Sequence, residues 1–200
     1  MWRVSDLNFE EKLRFEGIVN MSVTYSGMLR NFKEGSKEKL SNQLMKTAES
    51  LFNVTSEKQF AELHSEFCLW GTSNILVAER RRKEKSTKHE TPASYGQIAK
   101  ALDVALKIAV YYCQLPDSET STILYRFLYA PVDVGMMKGL QEKYPEDIRP
   151  WPVKLSNVQK EDYLKIQELV HRDIIESHRG LITPAQYSDV YWKKPGDLYK

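Results

Sequence analysis

The sequence predicts an all-α protein of seven to nine helices. Three observations carry that expectation. Apolar residues recur at three- and four-residue intervals along most of the 200-residue chain. Helix-opening residues, serine, threonine or aspartate, stand just before most of these periodic stretches. Alternating or β-branched runs that would mark strands are nearly missing. The length fits one compact domain, read as residues 1–200. Within it, residues 1–78 form N-terminal helices, 79–93 a charged basic loop, and 94–200 a C-terminal helical subdomain.

The elements follow in order. Asp6 is a plausible cap for a first helix reaching about Leu29. Glu10 and Glu11 sit in its first turn, where the helix dipole favours negative charge. Phe9, Leu13, Ile18, Met21 and Tyr25 supply its expected apolar face. Ser36 opens a second helix bearing Leu40, Leu44, Ala48, Leu51 and Phe52. Ser56 opens a third with Phe60, Leu63, Phe67 and Trp70, which Gly71 is in a position to interrupt. Ile75–Ala78 reads either as its continuation or as a short extended piece. The run from Glu79 to Pro92 holds Arg80, Arg81, Arg82, Lys83, Lys85 and Lys88, and reads as a solvated loop.

Ser94 to about Cys113 has the clearest helical stripe, with Ile98, Leu102, Ala105, Leu106, Ala109 and Val110. Asp117 or Ser118 caps the next helix, which Pro131 stops. Asp133 caps another, carrying Met136, Met137 and Leu140. Pro145, Pro150 and Pro152 enforce a loop. A long amphipathic helix spans about 157–177 and ends at Gly180. Thr183-Pro184 starts a last one, Ala185 to about Trp192.

Composition bounds the function. A net charge of +2 restricts any nucleic-acid contact to a local patch. No apolar run approaches the ~18–20 residues that cross a bilayer, so no membrane partner is expected. The N-terminus lacks the apolar core of a signal peptide. Cys68 and Cys113 are unlinked by any CxxC pattern and read as buried free thiols of a cytoplasmic protein. Neither a metal site nor a cofactor is expected: His64, His89, His171 and His178 are scattered, and no phosphate-loop or nucleophile-elbow motif is present.

Two segments carry candidate chemistry. Ser94-Tyr95-Gly96-Gln97-Ile98-Ala99-Lys100 opens a helix with a glycine in its first turn, where free N–H groups suit a phosphate oxygen. Tyr129-Ala130-Pro131-Val132-Asp133-Val134 delivers a carboxylate at another helix start. These residues resemble the helix-hairpin-helix DNA glycosylase superfamily over roughly residues 94–144. The proline-valine-aspartate-valine part matches closely. Ser94-Tyr95-Gly96 stands where that family has glycine, an apolar residue and glycine, and Lys100 lies two residues beyond the usual lysine. The resemblance implies DNA as partner, Lys100 as an amine nucleophile, and Asp133 as the carboxylate that stabilises positive charge on the sugar. Tyr95 and Gly96 at the helix opening and, by their own charge, Arg80, Arg81 and Arg82 in the basic run are the candidate DNA contacts. Tyr95, Tyr129, Trp151 and Trp192 would offer rings to a flipped base.

Each of these residues also has an ordinary role open to it: a helix cap for Asp133, a solvated lysine for Lys100, a helix end for the arginines. Lys107 rivals Lys100 on the same helix. The second half of the chain is also similar to uncharacterised bacterial helical proteins sharing Tyr95-Gly96-Gln97, Pro131-Val132-Asp133 and a tryptophan–tyrosine segment. A non-enzymatic helical binding module is therefore the alternative. A third reading takes Arg172 and His178, whose spacing resembles that of HEPN-type ribonucleases, as phosphate binder and general acid/base.

Overall fold

The computed structural model describes residues 3–78 and 90–191. Arg80, Arg81, Arg82 and Trp192 lie outside the described residues. Among those described, eight α-helices surround one hydrophobic core: α1 (Phe9–Tyr25), α2 (Ser36–Phe52), α3 (Glu57–Asn74), α4 (Tyr95–Leu106), α5 (Ser118–Leu124), α6 (Val134–Lys143), α7 (Lys160–His178) and α8 (Pro184–Tyr191). Two short strands, β1 (Leu76–Val77) and β2 (Thr91–Pro92), pair antiparallel. The all-α expectation holds, and the short extended option at 76–77 is the one the chain adopts.

Helix α4 is the hub. It packs against α1, α3 and α7, and all but two of its residues, Lys100 and Val104, are buried. Its start is set locally. Ser94 accepts from the Gln97 N–H, and the Gln97 side chain accepts from the Ser94 N–H, a reciprocal capping box. Its end widens into a π-helical stretch over Lys107–Tyr112. A single buried hub suits the strong stripe of Ile98, Leu102, Ala105 and Leu106, flanked by Ala99 and Ala101, whose small side chains let neighbouring helices approach on several sides.

Several sequence expectations are corrected in detail. The cap of α1 is Asn8, which forms a capping box with Glu11, while Asp6 ends a preceding 3-10 turn. The core face of α1 is Phe15, Val19, Ser22 and Val23. The stripe expected to be buried, Phe9, Leu13, Met21 and Tyr25, faces outward. Gly71 does not interrupt α3. It is a contact glycine: a Cβ there would lie 2.4 Å from Cγ2 of Ile98 on α4. The long helix starts at Lys160, after a capping box formed by Gln159 and Asp162. Cys113 is only half-buried, unlike Cys68.

Candidate functional site

The Tyr129–Asp133 segment is held at both ends. Asp133 is the N-cap of α6, its Oδ1 accepting the Met136 N–H at 2.9 Å. Upstream, Gln167 on α7 grips Ala130, accepting its N–H at 3.0 Å and donating to its carbonyl at 2.9 Å. Ala130, Pro131 and Val132 are buried between these anchors. The proline excludes helix here, so the backbone polar groups need outside partners, and Gln167 provides them.

Gly96 has an equally concrete role. Its N–H donates to the Val158 carbonyl at 3.1 Å. A Cβ at this position would stand 2.5 Å from Cβ of Val158. The glycine lets the first turn of α4 press onto the segment that leads into α7, and the N–H expected to face a phosphate is used within the fold.

Lys100 lies on the same helix, half-buried, and forms no ion pair or hydrogen bond with any described residue, Asp133 included. Its rival Lys107 is buried and bonded to Asp189 at 2.6 Å and Ser188 at 2.7 Å. Trp151 belongs to the core. Arg172 pairs with Asp147 at 3.1 Å and lies over the Tyr144 ring, while His178 meets the ring of Tyr187. Six positions on one helix set Arg172 and His178 about 120° apart around its axis.

The structure instead gathers a polar cluster that periodicity does not announce. His64 and Cys68 on α3, Tyr95 and Asp103 on α4, Tyr129 before α6 and Tyr163 on α7 meet inside the core. His64 Nε2 lies 2.9 Å from Asp103 Oδ1, and the Tyr163 hydroxyl donates to Asp103 Oδ2 at 2.8 Å. The other ring nitrogen, Nδ1, is 3.7 Å from Cys68 Sγ. Tyr163 stacks on the imidazole, and Tyr129 stands edge-on to it at 4.8 Å between centroids.

The electrostatics follow from burial. Desolvation by itself would lower the His64 pKa, but Cys68 and the Asp103 carboxylate outweigh it and raise the value to about 10. Desolvation raises Asp103, with the imidazolium opposing that rise. Burial, and then the nearby Asp103 charge, pushes the Tyr163 hydroxyl well above its ordinary value. Tyr129 is raised to about 12 for the same two reasons, reinforced by Glu57. The Tyr95 hydroxyl is buried without a well-formed hydrogen bond, although Ser65 and Cys68 are close enough to affect its titration. His64, Cys68 and Asp103 are each almost wholly inaccessible to solvent. The cluster is thus a sealed polar junction that ties α3, α4 and α7 together. Among the described residues, no group of three or more histidine, cysteine or acidic side chains is arranged to hold a metal ion.

Sequence reasoning overlooked this junction, although two signals were present. His64 and Cys68 are four apart on one helical face, and Asp103 stands inside the most apolar stripe of the chain. Comparison with family models, with curated proteins and with solved structures returns no match. No helix among the described residues is long and apolar enough to cross a membrane.

Proposed function

We propose that this chain is a non-enzymatic helical module that binds DNA through its basic segment. The observation that carries the reading is charge density. Between residues 80 and 88 stand six basic side chains, Arg80, Arg81, Arg82, Lys83, Lys85 and Lys88, and one acidic, Glu84, in a chain whose net charge is only +2. Such a concentration neutralises several phosphates and gives binding that weakens steeply with salt. Pairing of β1 with β2 joins the two flanks of this segment at the edge of the helical body.

Support for a binding module over a base-excision enzyme comes from the motif residues. Gly96 and Asp133 each serve packing or capping, and Lys100 has no hydrogen-bond or ion-pair partner among the described residues to position it. A base-excision lysine needs such a partner to be held as a nucleophile.

The test is a duplex-binding titration at several salt concentrations, run beside borohydride trapping on abasic DNA. Binding with a steep salt slope, retained in Asp133→Asn and lost when Arg80, Arg81 and Arg82 are neutralised together, is the expected result. A trapped covalent adduct that disappears in Lys100→Gln would replace this reading with a lyase. The absence of any DNA binding at low salt would remove DNA as the partner.

A further inference from the structure

Helix α1 carries a second apolar face that the fold leaves uncovered. Phe9, Leu13, Gly17, Met21 and Tyr25 follow one another at every fourth position. The four side chains are 79%, 53%, 42% and 70% exposed, in chain order. At the middle, Gly17 has nothing within 4 Å of where a Cβ would stand. The opposite side of the helix holds the core residues Phe15, Val19 and Val23.

We propose that this stripe is the interface of a two-fold dimer in which α1 packs antiparallel against α1 of a second copy. Three features select a second copy over another partner. The stripe is palindromic in character: aromatic, aliphatic, glycine, aliphatic, aromatic. An axis through Gly17 sets Phe9 against Tyr25 and Leu13 against Met21 twice over, which is the self-complementarity that a two-fold contact requires. A four-residue ridge is inclined about 26° to its helix axis, so two such ridges lie along each other when the helices cross at about 50°. The whole stripe then shares one seam, and the glycines permit close approach at the crossing point.

The charges fix the direction. Every charged residue of α1, namely Glu10, Glu11, Lys12, Arg14 and Glu16, lies in its first half. Antiparallel pairing opposes that half to the uncharged second half of the other copy, so no like charges meet across the seam. Parallel pairing would set Glu10 against Glu10 and Arg14 against Arg14. The area is also adequate. Phe9 and Tyr25 alone expose roughly 300 Å², and with Leu13 and Met21 the apolar patch reaches roughly 450 Å². The exposed Glu10, Arg14, Asn20 and Thr24 extend it as a polar rim towards the ~800 Å² per partner typical of specific interfaces.

The experiment is sedimentation velocity of the full chain across a concentration series. A monomer–dimer equilibrium is expected. The double variant Leu13→Glu with Met21→Glu, both at exposed positions, keeps its helical circular dichroism and weakens the dimer by more than about a hundredfold. On a Cys113→Ser background, Gly17→Cys gives a disulfide-linked dimer under mild oxidation, whereas Lys58→Cys, on a solvent-facing position of α3, does not. A chain that is monomeric throughout overturns the proposal. So does a dimer unchanged in the double variant. A monomer that binds phosphatidylcholine vesicles through these same residues overturns it too, and assigns the stripe to a lipid surface.

Discussion

The carboxamide of Gln167 and the backbone of Ala130 form a closed two-bond ring, with the Ala130 N–H held at 3.0 Å and its carbonyl at 2.9 Å. Both partners are buried. This ring sets where the Tyr129–Asp133 segment runs, and so where α6 starts. Gln167→Leu leaves a buried donor and a buried acceptor without partners, each costing ~1–3 kcal/mol. Urea unfolding of the variant is expected to show a loss of about 2–4 kcal/mol. Gln167→Glu keeps the acceptor but removes the donor and adds a buried charge, so it should fare no better. A loss below ~1 kcal/mol in both variants would mean that water or a shifted backbone replaces the ring.

Gly96 and Gly71 make a paired prediction about close packing. Gly96→Ala sets a methyl 2.5 Å from Cβ of Val158, which belongs to a branched side chain fixed near the backbone. Gly71→Ala sets one 2.4 Å from Cγ2 of Ile98. Ordinary helix propensity would make each change favourable by up to about 1 kcal/mol. Overpacking should reverse the sign and destabilise each variant by about 1–3 kcal/mol. Val158→Ala, introduced with Gly96→Ala, should recover part of the loss. A stabilised Gly96→Ala protein would show that its place in the motif is not a matter of packing.

What the sequence discloses here is mostly local. The Ser94 opening of α4 and the Asp117 and Asp133 caps are legible because cap and helix lie within four residues of each other. The core of α4 is legible because its one apolar stripe leaves no choice of face. Helix α1 is different. It has two apolar stripes, Phe15-Val19-Val23 and Phe9-Leu13-Met21-Tyr25, and periodicity does not say which meets the core. The pairing of His64 with Asp103 spans 39 residues and two helices, so nothing local encodes it. An aspartate among Leu102, Ala105 and Leu106 is the one visible hint, since a buried carboxylate requires a partner. The motif residues are legible as residues, but their roles depend on Val158 and Gln167, which are remote in sequence.

The sealed junction should behave as a coupled unit. His64→Leu strands the Asp103 carboxylate, and Asp103→Leu strands the imidazole; breaking a buried pair in this way costs ~3–5 kcal/mol. Replacing both residues by leucine removes both charges, and the double variant should be less destabilised than the two single losses predict together. A coupling of about 2 kcal/mol or more, read from the four denaturation curves of a double-mutant cycle, is the expected outcome. Additive losses would mean that the two side chains act independently despite their 2.9 Å separation. Tyr163→Phe, which removes the hydroxyl bond to Asp103 together with its longer contact to His64 Nε2, should cost about 1–2 kcal/mol.

The same pair sets a pH dependence whose sign is fixed by the shift on His64. Its pKa rises from 6.5 to about 10 on folding, against desolvation and through Cys68 and Asp103. The folded state therefore holds this proton more tightly than the unfolded chain. The stability gained is fully present below about pH 6.5 and is lost as the pH rises through about 10. Two measurements check this. The His64 ring resonances should report an imidazolium at pH 8. Stability measured between pH 7 and 10 should fall in the wild-type protein more steeply than in the variant with leucine at both 64 and 103. A neutral His64 ring at pH 8, with parallel stability curves for the two proteins, would show that Asp103 holds a neutral imidazole and that the junction is a hydrogen-bond network without a charge pair.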